Sequence, residues 1–184
     1  WNETAGFYFD YDVSKDQMSP VMASAGFLPL ICGAASMEQA KKLAAHLENP
    51  ETFKTPLPVA SIGICDKKSY SKDMWRGPVW VNINHMIAFG FKRYGLNAEA
   101  DMIASKTIET IEQNYLKYGT FFEFYDDKIE VDPPLLLRKT KNIPDTYHQA
   151  FHDYGWSATL YVDMIYSGQN EICKEAIERS CSYS

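Results

Sequence analysis

Apolar residues fall into blocks of two periodicities. In residues 36–47, Met37, Ala40, Leu43, Ala44 and Leu47 recur every three or four positions, the stripe of an amphipathic helix. Ser36 with Gln39 matches a capping box at its start, and Asn49-Pro50 stops it. Residues 77–94 are apolar on nearly every side, which predicts a helix buried all round, with Pro78 in its first turn. Its polar members Asn82, Asn84 and His85 then need partners. Gly95 breaks the run, and Asn97 is placed to cap a helix over about 98–117. There Ile103, Thr107, Ile108, Ile111 and Tyr115 share one stripe. A mostly apolar helix is predicted over 152–167, ended by Gly168, and a polar amphipathic one over about 170–181. Residues 20–32 read as a short apolar helix in which Pro29 forces a kink or early stop. Phe7, Phe9 and Tyr11 instead alternate, as in a short strand or extended loop. Residues 119–126 (GTFFEFYD) read as an aromatic loop or short strand. Residues 127–147 are charged and contain Pro133, Pro134 and Pro144, and read as a long excursion.

A nearly all-apolar helix is followed by an amphipathic one about three times, over 20–47, 77–117 and 156–181. Buried-then-surface pairs mark an all-α toroid or solenoid, in which inner helices touch neighbours on both sides and outer ones face water. The pattern fits a closed ring and an open stack alike.

Composition narrows the classes. The 184 residues are 46% hydrophobic and 23% charged with a net charge of −6, which excludes disorder and gives no broad basic footprint for nucleic acid. No apolar run reaches the ~18 residues of a spanning helix. The chain opens at Trp1-Asn2-Glu3 without Met or leader, and reads as part of something longer. Cys32, Cys65, Cys173 and Cys181 form no CxxC. Neither a disulfide scaffold nor a zinc site is expected, and Cys32 and Cys173 read as small buried core residues. Tyr, Phe and Trp make up 14% of the chain and gather beside Gly, Asn and Asp.

Three polar, aromatic, Gly-bearing loops adjoin the inner elements: residues 72–78 (KDMWRGP), 120–126 (TFFEFYD) and 152–156 (HDYGW). Flat Trp and Tyr faces beside Arg, Asn and carboxylates suit a sugar better than an apolar ligand. Glu123, among Phe121, Phe122, Phe124 and Tyr125, is costly to bury unless paired or functional. Alternatively it is an edge glutamate pointing to solvent. Trp75-Arg76 could equally be a structural cation–π pair, Trp156 ordinary core, and His85 an interhelical hydrogen-bonding group. His148 and His152 have no partner that the sequence identifies, and Asp10, Asp12 and Asp16 read as a solvated face.

At these loops the chain resembles a family. Residues 75–84 (WRGPVWVNIN) look like the WRGPVW-(I/V)-N-(I/V)-N segment of family-63 glycoside hydrolases, which include α-glucosidases and mannosylglycerate hydrolases. Glu123-Phe124-Tyr125-Asp126 is similar to the Glu-x-Tyr-Asp/Asn segment of that family and of the related trehalases. Gly155-Trp156-Ser157-Ala158 resembles the opening of their last inner helix, and residues 1–12 resemble the W…GxYxDxD stretch upstream.

The resemblance implies an (α/α)6 toroid, of which residues 1–184 would form roughly the C-terminal half, about three helix pairs. Residues 127–147 would be an inserted loop, because the family usually goes quickly from the Glu segment to the last inner helix. The implied activity is hydrolysis of α-linked glucosides or oligosaccharides with inversion. One carboxylic acid protonates the leaving oxygen and a second carboxylate activates water on the opposite face. The base falls on Glu123. The acid, an Asp in an upstream loop, would precede Trp1, so the 184 residues alone should be inactive. Trp75, Arg76, Gly77, Trp80, Tyr125 and Trp156 would bind the sugar. The implied partners are the α-linked substrate and the remainder of the same barrel. No cofactor and no metal is required by this mechanism. Two readings of other kinds stay open: a non-catalytic toroid that binds carbohydrate or protein, and a sugar epimerase- or isomerase-type (α/α) barrel in which His85 would face the pocket while Glu123 points away.

Overall fold

A computed structural model describes residues 1–138 and 149–181, with the side chains of its last helix described to residue 168. Its α-helices are α1 (Met37–Leu47), α2 (Val81–Arg93), α3 (Asn97–Tyr118) and α4 (Gly155–Cys181). A two-residue antiparallel pair, β1 (Tyr11–Asp12) and β2 (Gln17–Met18), lies near the start. None of the described helices is long and apolar enough to cross a membrane.

The capping box forms as its spacing predicts. The Ser36 hydroxyl accepts from Gln39 N–H at 3.2 Å, and the Gln39 side chain accepts from Ser36 N–H at 2.8 Å. The helix buries Ala40, Leu43, Ala44 and Leu47. That stripe meets a cluster of rings in which Phe27 lies edge-on to Phe7 and Phe53, each 5.1 Å away, and to Phe91 of α2 at 6.1 Å. All four rings are fully buried. At ~1.5–3 kcal/mol per buried Phe, this cluster anchors the first half of the chain.

Helix α2 is the hub. It packs on α3, on α4 and on the 3-10 helix Ser24–Leu30. The last contact requires Gly90, since a Cβ there would lie 2.7 Å from the Leu30 Cβ. On the other side Val79, Val81, Ile111, Phe122, Tyr125 and Met164 form a second core joining α2, α3 and α4. Helix α3 buries Ala100, Ile103, Thr107, Thr110 and Ile111; of the expected stripe, Ile108 is half-buried and Tyr115 exposed.

The structure corrects several expectations. The short helix expected over 20–32 is present, but as a 3-10 helix over Ser24–Leu30 rather than an α-helix. Pro29 lacks the N–H that an α-helix interior needs, and the shorter 3-10 turn accommodates it. Pro78 does not open α2. Val79 exchanges backbone hydrogen bonds with Tyr125 (2.7 and 3.0 Å), which keeps residues up to Trp80 extended. Helix α2 is not buried all round, because Phe89 is exposed. Asn97 is the first residue of α3, not its cap; Leu96 precedes it without a side-chain cap bond. Gly168 does not end a helix, since α4 runs through it to Cys181 and absorbs the separate helix expected over 170–181. Nothing crowds Gly168, so the cost of glycine in a helix, ~1 kcal/mol, is all that opposes this. Cys32 is exposed rather than core. His148, Pro144 and the side chains of Cys173 and Cys181 lie outside the described residues.

Candidate active site

The three polar loops converge through backbone pairing. Val79 pairs antiparallel with Tyr125, bringing 72–80 beside 120–126. Glu123 N–H donates to Phe151 O (2.9 Å) and Tyr154 N–H to Phe121 O (3.0 Å), adding the third loop. The Thr120 hydroxyl donates to Asp153 Oδ1 at 2.9 Å and accepts from Asp153 N–H at 2.8 Å. The excursion returns to the same place. Leu137 bridges both Asp73 and Gln149, and Leu136 is fully buried with Trp80, Phe124 and Ala150.

Glu123 sits where these segments meet. It is 4% exposed, so the solvent-facing alternative does not hold. Its Oε2 accepts from Arg138 Nε–H at 3.0 Å. The Arg138 guanidinium lies 4.1 Å from the Phe151 ring centroid, a cation–π contact of ~0.5–2 kcal/mol. Tyr154 lies beside this pair. Burial raises its phenol above the ordinary tyrosine range, Glu123's charge raises it further, and Arg138 opposes both.

The other predicted residues divide. Trp75 is exposed and stacks on buried Trp80 with centroids 3.8 Å apart and planes within 3°. Trp80 is fixed by Nε1–H donating to Met74 O (3.1 Å) and by Phe124 at 5.2 Å. Arg76 is exposed and its backbone closes the turn onto Asp73 O at 2.7 Å. Gly77 is buried under Ser71, where a Cβ would lie 2.1 Å from the carbonyl oxygen, so its role is close backbone approach. Tyr125 packs into the second core and also borders a small pocket with Asp126 and Asp132. It is 1% exposed, its hydroxyl accepts from Phe122 N–H at 3.1 Å, and burial pushes it up to about 12. Trp156, on the first turn of α4, is exposed rather than core.

Sequence reasoning missed Arg138 and the network beneath Asp126. The run Leu135-Leu136-Leu137 inside a charged stretch was the available signal that this part of the excursion packs inward. Lys72 Nζ donates to Asp126 and, at 3.2 Å, to Asp127 Oδ1. Tyr70 O–H donates to both Asp127 oxygens at 2.9 Å. Burial pushes Asp126 up, but Lys72 and the N–H groups of Glu130 and Val131 outweigh it and hold the carboxyl below the usual range. For Asp127 burial prevails, and its carboxyl is raised.

His85 Nε2 lies 2.6 Å from Asp163 Oδ2, between α2 and α4. It thus acts as an interhelical hydrogen-bonding group, and Glu123 is engaged by Arg138; this is not the arrangement that an epimerase-type site needs. Asp12 binds the N–H groups of its own turn (Ser14 at 3.0 Å, Lys15 at 3.2 Å). Among the described residues no three His, Cys, Asp or Glu side chains converge as a metal-binding set. A cleft of about 210 Å³ beside Tyr8, Phe9 and Pro29 carries none of the predicted site residues on its walls.

Comparison with known proteins bears on the family and the fold. The family described as the mannosylglycerate hydrolase MGH1-like glycoside hydrolase domain matches residues 1–157. A mannosylglycerate hydrolase of Thermus thermophilus is 35% identical over 127 residues, 68% of this chain and 29% of that protein. The crystal structure of a GH63 mannosylglycerate hydrolase from Thermus thermophilus in complex with glucose superposes with a TM-score of 0.65 at 28% identity, over 91% of this chain and 36% of that one. Neutral trehalase from Saccharomyces cerevisiae shares the fold (TM-score 0.67, 19% identity), over 90% of this chain and 27% of that one. The chain thus spans about a third or less of the length of these relatives. With the family match over residues 1–157 and the likeness to these relatives in fold and sequence, the chain belongs to the mannosylglycerate hydrolase-like glycoside hydrolases of family 63.

Proposed function

We propose that these residues form part of an (α/α)6 catalytic domain that hydrolyses an α-linked glycoside with inversion, and that Glu123 is its general base. The observation that carries this reading is the Glu123 carboxylate, 4% exposed and held by Arg138 at 3.0 Å where the three loops meet. A buried carboxylate needs a charge-assisted partner, and the Arg138 guanidinium supplies it at one oxygen. The general acid comes from residues outside the 184. Trp75, backed by the buried Trp80, supplies a stacking face for the sugar, Arg76 and Trp156 lie at its rim, and Gly77 shapes the turn that carries them. Tyr125 supports the loop from beneath.

The matched family and the Thermus thermophilus relatives named above are of mannosylglycerate hydrolase type, which favours a glycosyl-glycerate over α-glucosides and other α-linked oligosaccharides as the substrate. The test is turnover by the whole protein on mannosylglycerate and on α-glucosides, with the anomer of the released sugar followed by NMR. Glu123→Gln should lower kcat about 10²–10⁴-fold, the usual contribution of a positioned base, without loss of fold. Near-normal turnover by that variant would sink the assignment of the base. A product of retained configuration would sink inversion.

A further inference from the structure

Arg138 belongs to a stretch that the sequence reads as an inserted loop, yet it contacts the candidate base directly. Its backbone neighbourhood is pinned on two sides. Met74 N–H donates to Leu137 O at 3.0 Å, and Ala150 N–H donates to Leu136 O at 3.2 Å. Its guanidinium rests on the Phe151 ring, and Phe151 O accepts the Glu123 N–H. Glu123 is therefore held at its backbone by Phe151 and at Oε2 by Arg138, and these two residues hold each other. A guanidinium is a rigid planar donor, and its charge-assisted bond to a carboxylate is stronger than a neutral one.

We propose that Arg138 is a positioning residue for Glu123: it anchors Oε2 and leaves Oε1 as the oxygen presented to the attacking water. This rests on the reading of Glu123 as the general base. In the reaction, Oε1 takes a proton from water while the water oxygen bonds to the anomeric carbon. The glycosidic C–O bond breaks, and the leaving oxygen takes its proton from the general acid. Arg138 gives up no proton and stays cationic throughout. Its effect falls on the geometry of the transition state and so on kcat more than on KM.

The test compares Arg138→Gln, Arg138→Lys and Glu123→Gln in the whole protein. Arg138→Gln should lower kcat about 10–100-fold, the scale of a misplaced catalytic group, with KM little changed; melting falls too, because the buried Glu123 loses its cationic partner. Arg138→Lys, which keeps a cationic donor, should recover part of that loss. Wild-type kcat in the Gln variant, or equal losses in the Gln and Lys variants, overturns the proposal. Should Arg138→Gln not fold, Arg138→Lys decides alone: a loss of kcat at unchanged KM and melting temperature supports positioning. Wild-type kcat, or a loss that tracks lowered melting, overturns it. Glu123→Gln separates the two levels. Retained turnover there removes the base assignment itself. An inactive Glu123→Gln beside a fully active Arg138→Gln overturns only the positioning role.

Discussion

Asn84 ties the site's framework together, and its replacement by Leu isolates what that tie contributes. The side chain is fully buried. Its Oδ1 accepts from Val59 N–H at 3.0 Å, and its Nδ2 donates to Pro58 O and, at 2.9 Å, to Thr107 Oγ1. One amide thus clamps the 57–60 segment and α3 onto α2. Leucine has a similar size but no polar atoms. Thr107 would keep its bond to Ile103 O, whereas Val59 N–H and Pro58 O would lose their Asn84 partner in a dry interior. Each orphaned group costs ~1–3 kcal/mol, and better burial of Leu returns ~1–2 kcal/mol. The net loss is therefore centred on ~2.5 kcal/mol, with bounds of ~0–5 kcal/mol, against a domain stability of ~5–15 kcal/mol. The local readout is hydrogen exchange in a peptide spanning residues 56–62 of the whole protein, where Val59 should lose protection about 10–1,000-fold. Melting should fall by several degrees. Unchanged exchange and melting in Asn84→Leu would show that the clamp contributes no stability and would refute the reasoning.

Two further predictions probe the surroundings of the site. Lys72→Met should destabilise the protein more at pH 7 than at pH 3. Asp126 is held below the ordinary carboxylate range, so its pairing stabilises the fold above that range and the benefit is lost as pH falls. Asp127, raised by burial, opposes folding while charged and is relieved by protonation, so thermal melts across pH 3–7 should show the variant converging on the wild type in acid. Trp75→Ala should leave melting within about 2 °C while raising KM several-fold, since an exposed stacking face worth ~0.5–1.5 kcal/mol contributes to sugar binding and little to folding; an unchanged KM measured by steady-state kinetics would remove Trp75 from the substrate face.

Local rules are legible wherever the signal lies within a few residues. The Ser36–Gln39 box, the α1 stripe, most of the α3 stripe and the demand of Asn84 for partners all follow from spacing and burial. The ten-residue string at 75–84 and the Glu123–Asp126 segment identify the family, because their residues are contiguous. Errors arise where backbone donors are claimed by distant partners. Residues 77–80 read as helical, but Val79 pairs with Tyr125 and holds them extended. The aromatic surplus has two destinations: Phe7, Phe27, Phe53 and Phe91 build a core cluster, while Trp75 and Trp80 stack beside the candidate site.

Sequence by itself determined that this is a helical chain of a glycoside hydrolase family with Glu123 in the middle of an aromatic loop. Tertiary structure alone decided what that carboxylate meets. Glu123 and Arg138 are fifteen residues apart with no periodicity between them. The buried Leu136 and the backbone bonds of Leu137 draw the excursion back over the site. Such pairing depends on which backbone groups and apolar surfaces remain unsatisfied after the helices have packed, a property of the whole assembly rather than of any local stretch.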